Sequence, residues 1–143
     1  MSEPSDDAKR STILVVDDEA EVRALVREVL TQHGFAVIDT GDPLEARRIV
    51  ESQPVDLLLT DVVMPIMNGV ELAQRVEAIS PTTKVLLMSG YSTAAAKDSG
   101  RPLVSKPFRT GDLVNTVRQM LASKPAFRRP APPPAPRPGF RPL

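Results

Sequence analysis

Asp17, Asp18, Asp61, Ser89 and Lys106 are the residues of this sequence whose types and positions could do chemistry together. Each stands where a short apolar run gives out. Asp17-Asp18 follows Ile13-Leu14-Val15-Val16, Asp61 follows Leu57-Leu58-Leu59-Thr60, Ser89 follows Val85-Leu86-Leu87-Met88, and Lys106 lies just beyond Leu103-Val104. Singly, each has an ordinary explanation as a helix cap, a turn residue or a surface lysine. Their joint occurrence calls for more. Three carboxylates in one place repel one another and resist ionisation unless a cation joins them. Mg2+ suits such a site, because it takes oxygen ligands, keeps several waters and needs only two carboxylates and a backbone carbonyl from the protein. Asp61 could then act as a nucleophile and form an acyl phosphate. That transfer asks little of the protein beyond alignment and neutralisation of the phosphoryl oxygens. Mg2+ would serve one oxygen, the Lys106 ammonium a second and the Ser89 hydroxyl a third.

For these residues to meet, the apolar runs must be parallel strands of one sheet, whose carboxyl-terminal ends share an edge. Continuous apolar runs suit strands covered on both faces, and Pro54 and Pro65 keep the run ending at Asp61 too short for a helix. Between the runs lie helical stripes. Val22, Leu25, Val26, Val29 and Leu30 form the first, with His33-Gly34 as its stop. His33, the only histidine, reads as a helix-terminal residue rather than a phosphate carrier. Phe35–Asp39 is a short strand candidate. Asp42 can cap the next helix, with Pro43 in its first turn, Glu45 completing a capping box, and Leu44, Ile49 and Val50 as its apolar side. Asn68-Gly69-Val70-Glu71 opens a further helix carrying Val70, Leu72, Ala73, Val76 and Ile79. Lys84–Met88 is the fourth strand. Residues 92–100 are Ala-rich and hold at most two helical turns, and Leu103-Val104 is a very short fifth strand. Thr110 can cap a last helix with Leu113, Val114, Val117, Met120 and Leu121. Such alternation predicts an α/β fold with a doubly wound, five-stranded parallel sheet, right-handed crossovers and helices on both faces. Sheets of that kind bind ligands at the carboxyl edge.

Composition narrows the class further. A chain of 143 residues suits one domain with ends. Without cysteine there is neither a disulfide framework nor a thiolate metal site. No apolar run approaches the roughly 18 residues of a membrane span, and the polar, acidic opening Met1–Asp7 is unlike a secretory signal, so a cytoplasmic protein without membrane association is expected. The net charge of zero conceals an asymmetry: residues 1–123 hold 13 Lys and Arg against 18 Asp and Glu, and residues 124–143 hold five basic residues and no acid. An acidic body with a basic tail speaks against direct nucleic-acid binding. Eight of the last nineteen residues are proline, so residues 124–143 are expected to be a disordered or polyproline tail, as residues 1–10 are expected to be a disordered lead. The folded body is expected over 11–123.

Asp17-Asp18, Asp61 within Thr60-Asp61-Val62-Val63-Met64-Pro65, Asn68-Gly69, Ser89-Gly90 and Lys106-Pro107-Phe108 occur in one order across roughly residues 11–122. In that combination the chain resembles the response-regulator receiver domains of bacterial two-component signalling. The run Leu86–Tyr91 with Lys106-Pro107-Phe108 is most similar to receivers attached to hybrid histidine kinases. The resemblance implies a flavodoxin-like sheet in the order 2-1-3-4-5. It implies that Asp61 is the phosphoacceptor, taking its phosphoryl group from a histidine kinase or a histidine phosphotransfer protein. It further implies that Asp18, the Asp61 carboxylate and the Val63 carbonyl ligate Mg2+, with Asp17 acting mainly through a metal-bound water. Lys106 and Ser89 become a phosphate-sensing pair, and the bond before Pro107 is expected to be cis.

Two positions depart from the family pattern. Leu103 stands where an aromatic residue is usual, three places before the lysine, and Ser89 and Lys106 are only 17 positions apart, so the fourth helix of the family should be shortened here. Both fall on the face through which many receivers signal. Three other readings compete. An aspartate-nucleophile phosphatase usually carries a second Asp two positions on, where this chain has Val63. A flavin binder of the same architecture would need a Gly/Ser/Thr-rich turn after the first strand, and Asp17-Asp18-Glu19 would repel its phosphate. A degenerate receiver serving only as an interaction module is at odds with the intact acidic, serine and lysine positions. With no output domain after residue 122, a stand-alone regulator acting by protein contact is expected, not an enzyme turning over a separate substrate.

Overall fold

The alternation of apolar runs and amphipathic stripes becomes nine elements in the computed structural model, which describes residues 11–90 and 99–122. They are β1 (Thr12–Val16), α1 (Ala20–Gln32), β2 (Ala36–Thr40), α2 (Pro43–Ser52), β3 (Leu57–Asp61), α3 (Gly69–Ile79), β4 (Lys84–Ser89), β5 (Leu103–Ser105) and α4 (Thr110–Ala122). All five strands are parallel, in the order β2-β1-β3-β4-β5, so β1, β3 and β4 are interior. The shortened helix expected within 92–100 lies outside the described residues except for Ser99 and Gly100, which form a turn. The ends expected to be disordered, 1–10 and 124–143, lie outside them as well.

Successive strand residues point to opposite faces, and here both faces are covered. Leu14, Val16, Leu58 and Leu87 face α2 and α3, where they meet Ala46, Val50, Leu72 and Val76. Ile13, Val15, Leu59 and Met88 face α1 and α4, where they meet Val26, Leu30, Leu113 and Val117. Leucines 57, 58 and 59 are therefore all fully buried, although neighbours in sequence belong to different cores. The continuous apolar run was needed for this reason.

Local sequence sets most of the element ends. Gly34, at φ +94°, follows His33 and lets the chain leave α1 in a left-handed turn, and the His33 ring pairs through Nδ1 with the Val29 carbonyl at 2.9 Å. At α3 the capping box is closed in both directions by Asn68 and Glu71. At α2 the expected box is not formed. Asp42 accepts from the Leu44 N–H at 2.9 Å, while the Glu45 carboxylate is drawn away to the Thr40 hydroxyl at 2.6 Å. That hydroxyl accepts from the Asp42 N–H at 3.1 Å, so the box is relayed through the end of β2.

Several boundaries and stripes differ from the expectation. β2 starts and ends one residue later than Phe35–Asp39, β5 extends to Ser105, and Thr110 is the first helical residue of α4 rather than its cap. Leu25 and Leu44 are 49% and 40% exposed, not core. At about 100° per residue, each sits roughly a quarter-turn or more from the centre of its helix's buried face. Leu103 is partly buried and packs against the core on the α2–α3 side. Of the described residues, none lies in a helix long and apolar enough to cross a membrane.

Candidate functional site

The carboxyl edge of the sheet gathers the acidic residues. Asp61 is the last residue of β3, and Asp17 is the first after β1, its adjacent parallel strand. One oxygen from each of Asp17, Asp18 and Asp61 can be chosen so that all lie within 4.8 Å of one another. Asp17 is wholly buried, Asp61 is 6% exposed, and Asp18 faces solvent. Lys106 reaches this cluster from the turn after β5. Its ammonium lies 3.0 Å from Asp17 Oδ2, 3.5 Å from Asp61 Oδ1 and 3.6 Å from Glu19 Oε1. The Lys106-Pro107 bond is cis, as the resemblance implied.

The backbone around these groups is tied down. The Val62 N–H donates to the Met88 carbonyl at 2.9 Å, extending the β3–β4 ladder past Asp61, and lies 3.0 Å from Asp61 Oδ1. The Thr60 hydroxyl donates to the Asp61 carbonyl at 2.9 Å. The start of α3 packs directly on this turn, with the Gly69 N–H donating to the Val62 carbonyl at 2.8 Å. A Cβ on Gly69 would run into the Asp61 carbonyl oxygen and the Val62 Cα, so the Asn68-Gly69 pair has two separate uses. Asn68 caps the helix, and Gly69 lets it approach the nucleophile's strand.

Ionisation reflects this crowding. Burial pushes the Asp61 carboxyl above its ordinary value, and the Asp17 charge adds to the rise against the pull of Lys106 and the Val62 N–H. Burial works against the charge on Lys106, but the hydrogen bond and charge of Asp17, together with Asp61 and Glu19, outweigh it and raise the lysine above its ordinary value.

An open cavity lies over the cluster, lined by Asp18, Glu19, Asp61, Val63, Gly90 and Lys106. Val63 is 53% exposed at its rim. Asp17 does not line the cavity but sits buried, bonded to the lysine that does. Ser89 is buried at the end of β4, its carbonyl accepting the Lys106 N–H at 2.9 Å; Gly90, the next residue, lines the cavity. The structure thus brings together Asp17, Asp18, Asp61, Val63 and Lys106, with Ser89 at the adjoining strand end.

Three contributors escaped the sequence reading. Glu19 is both a lining residue and a partner of Lys106, and its place in the Asp17-Asp18-Glu19 run was the available signal. Arg23 donates to the Asp17 carbonyl at 2.8 Å, and Gly41 sits against that guanidinium; neither carries a signal in sequence.

The donor set suits a hard divalent cation. Three carboxylate oxygens converge, two of the carboxylates are buried, and among the described residues only the Lys106 ammonium meets the cluster, at Asp17 and Asp61. Asp18 and Asp61 with the Val63 carbonyl could supply the protein's oxygens.

Fold and site together define a receiver of two-component signalling. The sequence model of the response regulator receiver domain matches residues 13–118, and the chain belongs to that family. It is 36% identical over 114 residues to the response regulator receiver protein CpdR of Brucella abortus, covering 76% of this chain and 95% of that one. The crystal structure of the receiver domain from the hybrid histidine kinase CckA is similar at a TM-score of 0.69 and 33% identity, over 78% of this chain and 99% of the other. A further match is the response regulator TrrA of Thermotoga maritima in complex with Mg2+ and BeF, at a TM-score of 0.70 and 28% identity, over 77% of this chain and 98% of that one. Some other curated relatives are much longer. The chain spans 24% of the transcriptional regulator NtrC of Azospirillum brasilense and 12% of the sensor kinase CckA of Brucella abortus.

Proposed function

We propose that Asp61 is the phosphoacceptor of this receiver, charged by a phosphohistidine on a histidine kinase or a histidine phosphotransfer protein, and that residues 11–123 are the unit that does this in the cytoplasm. A carboxylate oxygen of Asp61 attacks phosphorus, the P–N bond to the donor imidazole breaks, and the imidazole leaves with the electron pair and takes up a proton. Mg2+ held by Asp18, Asp61 and the Val63 carbonyl would supply neutralisation of the phosphoryl oxygens. Asp17 keeps Lys106 charged and in place through their 3.0 Å contact, and the ammonium is within reach of a phosphoryl group on Asp61, being 3.5 Å from Oδ1. Burial of Asp61 limits the water that could hydrolyse the acyl phosphate. Ser89, at the adjoining strand end, is the hydroxyl assigned to a phosphoryl oxygen. The output is a change in protein contacts, with no turnover of a separate substrate.

The observation that carries this reading is the convergence of three carboxylates at the carboxyl edge of the sheet, two of which, Asp17 and Asp61, meet the Lys106 ammonium. The likeness to a receiver solved with Mg2+ and BeF supports the metal. The test is phosphoryl transfer from a labelled phosphohistidine donor with Mg2+, to the wild type and to Asp61→Asn. Label on the wild type and none on the variant is the expected result. Equal labelling of both would place the acceptor elsewhere.

A further inference from the structure

We infer that Arg23 is a positioning residue for the acidic site, holding the Asp17 backbone in place, and that Gly41 is glycine to leave room for it. The inference rests on the reading of the acidic cluster as a Mg2+ site.

Asp17 is fully buried, and each of its polar atoms has a partner. Its N–H donates to the Thr40 carbonyl at 3.2 Å, Oδ1 accepts from the Glu19 N–H at 2.9 Å, and Oδ2 meets Lys106 at 3.0 Å. Its carbonyl accepts from Arg23 Nη1 at 2.8 Å. The same guanidinium donates through Nε to Asp39 Oδ2 at 3.0 Å, and Arg27 Nη1 holds the other Asp39 oxygen at 2.7 Å. Arg23 thus ties the turn after β1 to the end of β2. The carbonyl it holds belongs to the peptide joining Asp17 to Asp18, so it fixes the direction in which both carboxylates leave the chain. A buried carbonyl that loses its donor is penalised, and the turn would shift to find another.

Charge and position predict opposite signs. A guanidinium beside a cation site should weaken cation binding by repulsion. Here Asp39 offsets that charge only in part, because Arg27 shares the carboxylate, so the repulsion and the hydrogen bond act on Mg2+ with opposite signs. If Arg23 acted through its charge, removing that charge would tighten Mg2+. If it acts by positioning, removal weakens Mg2+.

Gly41 supplies an independent handle. A Cβ there would lie 2.7 Å from Arg23 Nη1 but 3.4 Å from the Asp17 carbonyl oxygen, so an alanine displaces the tip of a flexible side chain and leaves the backbone in ordinary contact. Gly41 does not have a positive φ, so alanine is not strained.

The experiment is Mg2+ titration of the full chain by calorimetry, with metal-free stability measured in parallel, for the wild type, Arg23→Gln, Arg23→Lys, Gly41→Ala and the Arg23→Gln/Gly41→Ala double variant. Arg23→Gln and Gly41→Ala should each weaken Mg2+ about tenfold, the size typical of losing a group that orients a metal ligand. The double variant should be no weaker than Arg23→Gln alone, because both remove one interaction. Arg23→Lys should recover part of the loss, since an ammonium can still donate to the Asp17 carbonyl. Unchanged or tighter Mg2+ binding in both single variants overturns the inference, as does a double variant whose losses add. Wild-type protein that binds no Mg2+ overturns the metal reading, and this inference with it. Normal wild-type binding with unaltered variants overturns this inference alone.

Discussion

Asp39 and Asp61 stand near the ends of β2 and β3, the two strands that flank β1, yet their surroundings are opposite. Asp39 faces two guanidiniums, Arg23 at 3.0 Å and Arg27 at 2.7 Å, one on each oxygen. Among the described residues Asp61 shares a single ammonium with Asp17 and Glu19, and Asp18 adds a further carboxylate to the cluster. One carboxylate is over-neutralised and the other under-neutralised. The first is scaffold, because its charge is already satisfied when the chain folds. Among the described residues the second keeps an unmet demand for positive charge, which a divalent cation can satisfy, as the proposed function requires.

The comparison breaks first at Lys106. Removing it as Lys106→Ala leaves Asp17 buried without the one cation it meets among the described residues and should cost about 3 kcal/mol in denaturant unfolding of the metal-free protein. A loss below a few tenths of that would mean the cluster is better solvated than its burial implies. Asp39→Asn should come next, costing about 1–2 kcal/mol, since the amide keeps only one acceptor oxygen, so one of the two hydrogen bonds is lost and both guanidiniums lose their counter-charge.

The same chemical change at Asp61 should have the opposite sign. The Asp61 carboxyl titrates above its ordinary 3.8, mainly through burial. Its protonated form therefore suits the metal-free fold better than its charged form. That stabilisation is full below about pH 3.8 and is lost as pH rises through the raised value, so the ionised wild type carries a penalty at neutral pH. Asp61→Asn should raise metal-free stability by on the order of 1 kcal/mol at pH 7. The gain should vanish below about pH 3.8. Opposite signs for Asn at positions 39 and 61 would sharpen the contrast, and equal signs would remove it. The smallest effect belongs to Asp18→Asn, worth a few tenths of a kcal/mol because Asp18 faces solvent and its repulsion is screened. Its Mg2+ affinity should nevertheless fall sharply in the same titration, since it is assigned as a ligand.

How much of this was legible in sequence follows from the range of the interactions. The central strands were readable because burial on both faces demands unbroken apolar runs, as in Leu57-Leu58-Leu59. The meeting of Asp17, Asp18, Asp61 and Lys106 was readable because parallel strands bring their carboxyl ends to one edge, whatever the loops do. The Asp39–Arg23–Arg27 cluster was not. It joins a helix to a strand over 12 and 16 positions with no periodic signal, and its meaning depends on which carboxylate lies nearer the guanidiniums. The diversion of Glu45 to Thr40 was hidden likewise, since the capping-box pattern does not register a competing hydroxyl from the preceding strand. Leu25 and Leu44 were misplaced because a stripe read at intervals of three and four does not give the width of the face the sheet covers.

The central claim is that the under-neutralised carboxylate of Asp61 carries the phosphoryl group. The most direct measurement is to phosphorylate the full chain with a phosphohistidine donor and Mg2+, reduce the product with borohydride, and locate the modified residue by peptide mass mapping. An acyl phosphate on aspartate is reduced to homoserine, which leaves a permanent mass change at the residue that held it. The account predicts homoserine at position 61 alone, appearing only when donor and Mg2+ are both present. Homoserine at position 17, 18 or 39 with Asp61 intact, or no modification of any carboxylate under conditions in which the donor loses its phosphate to this protein, would contradict it.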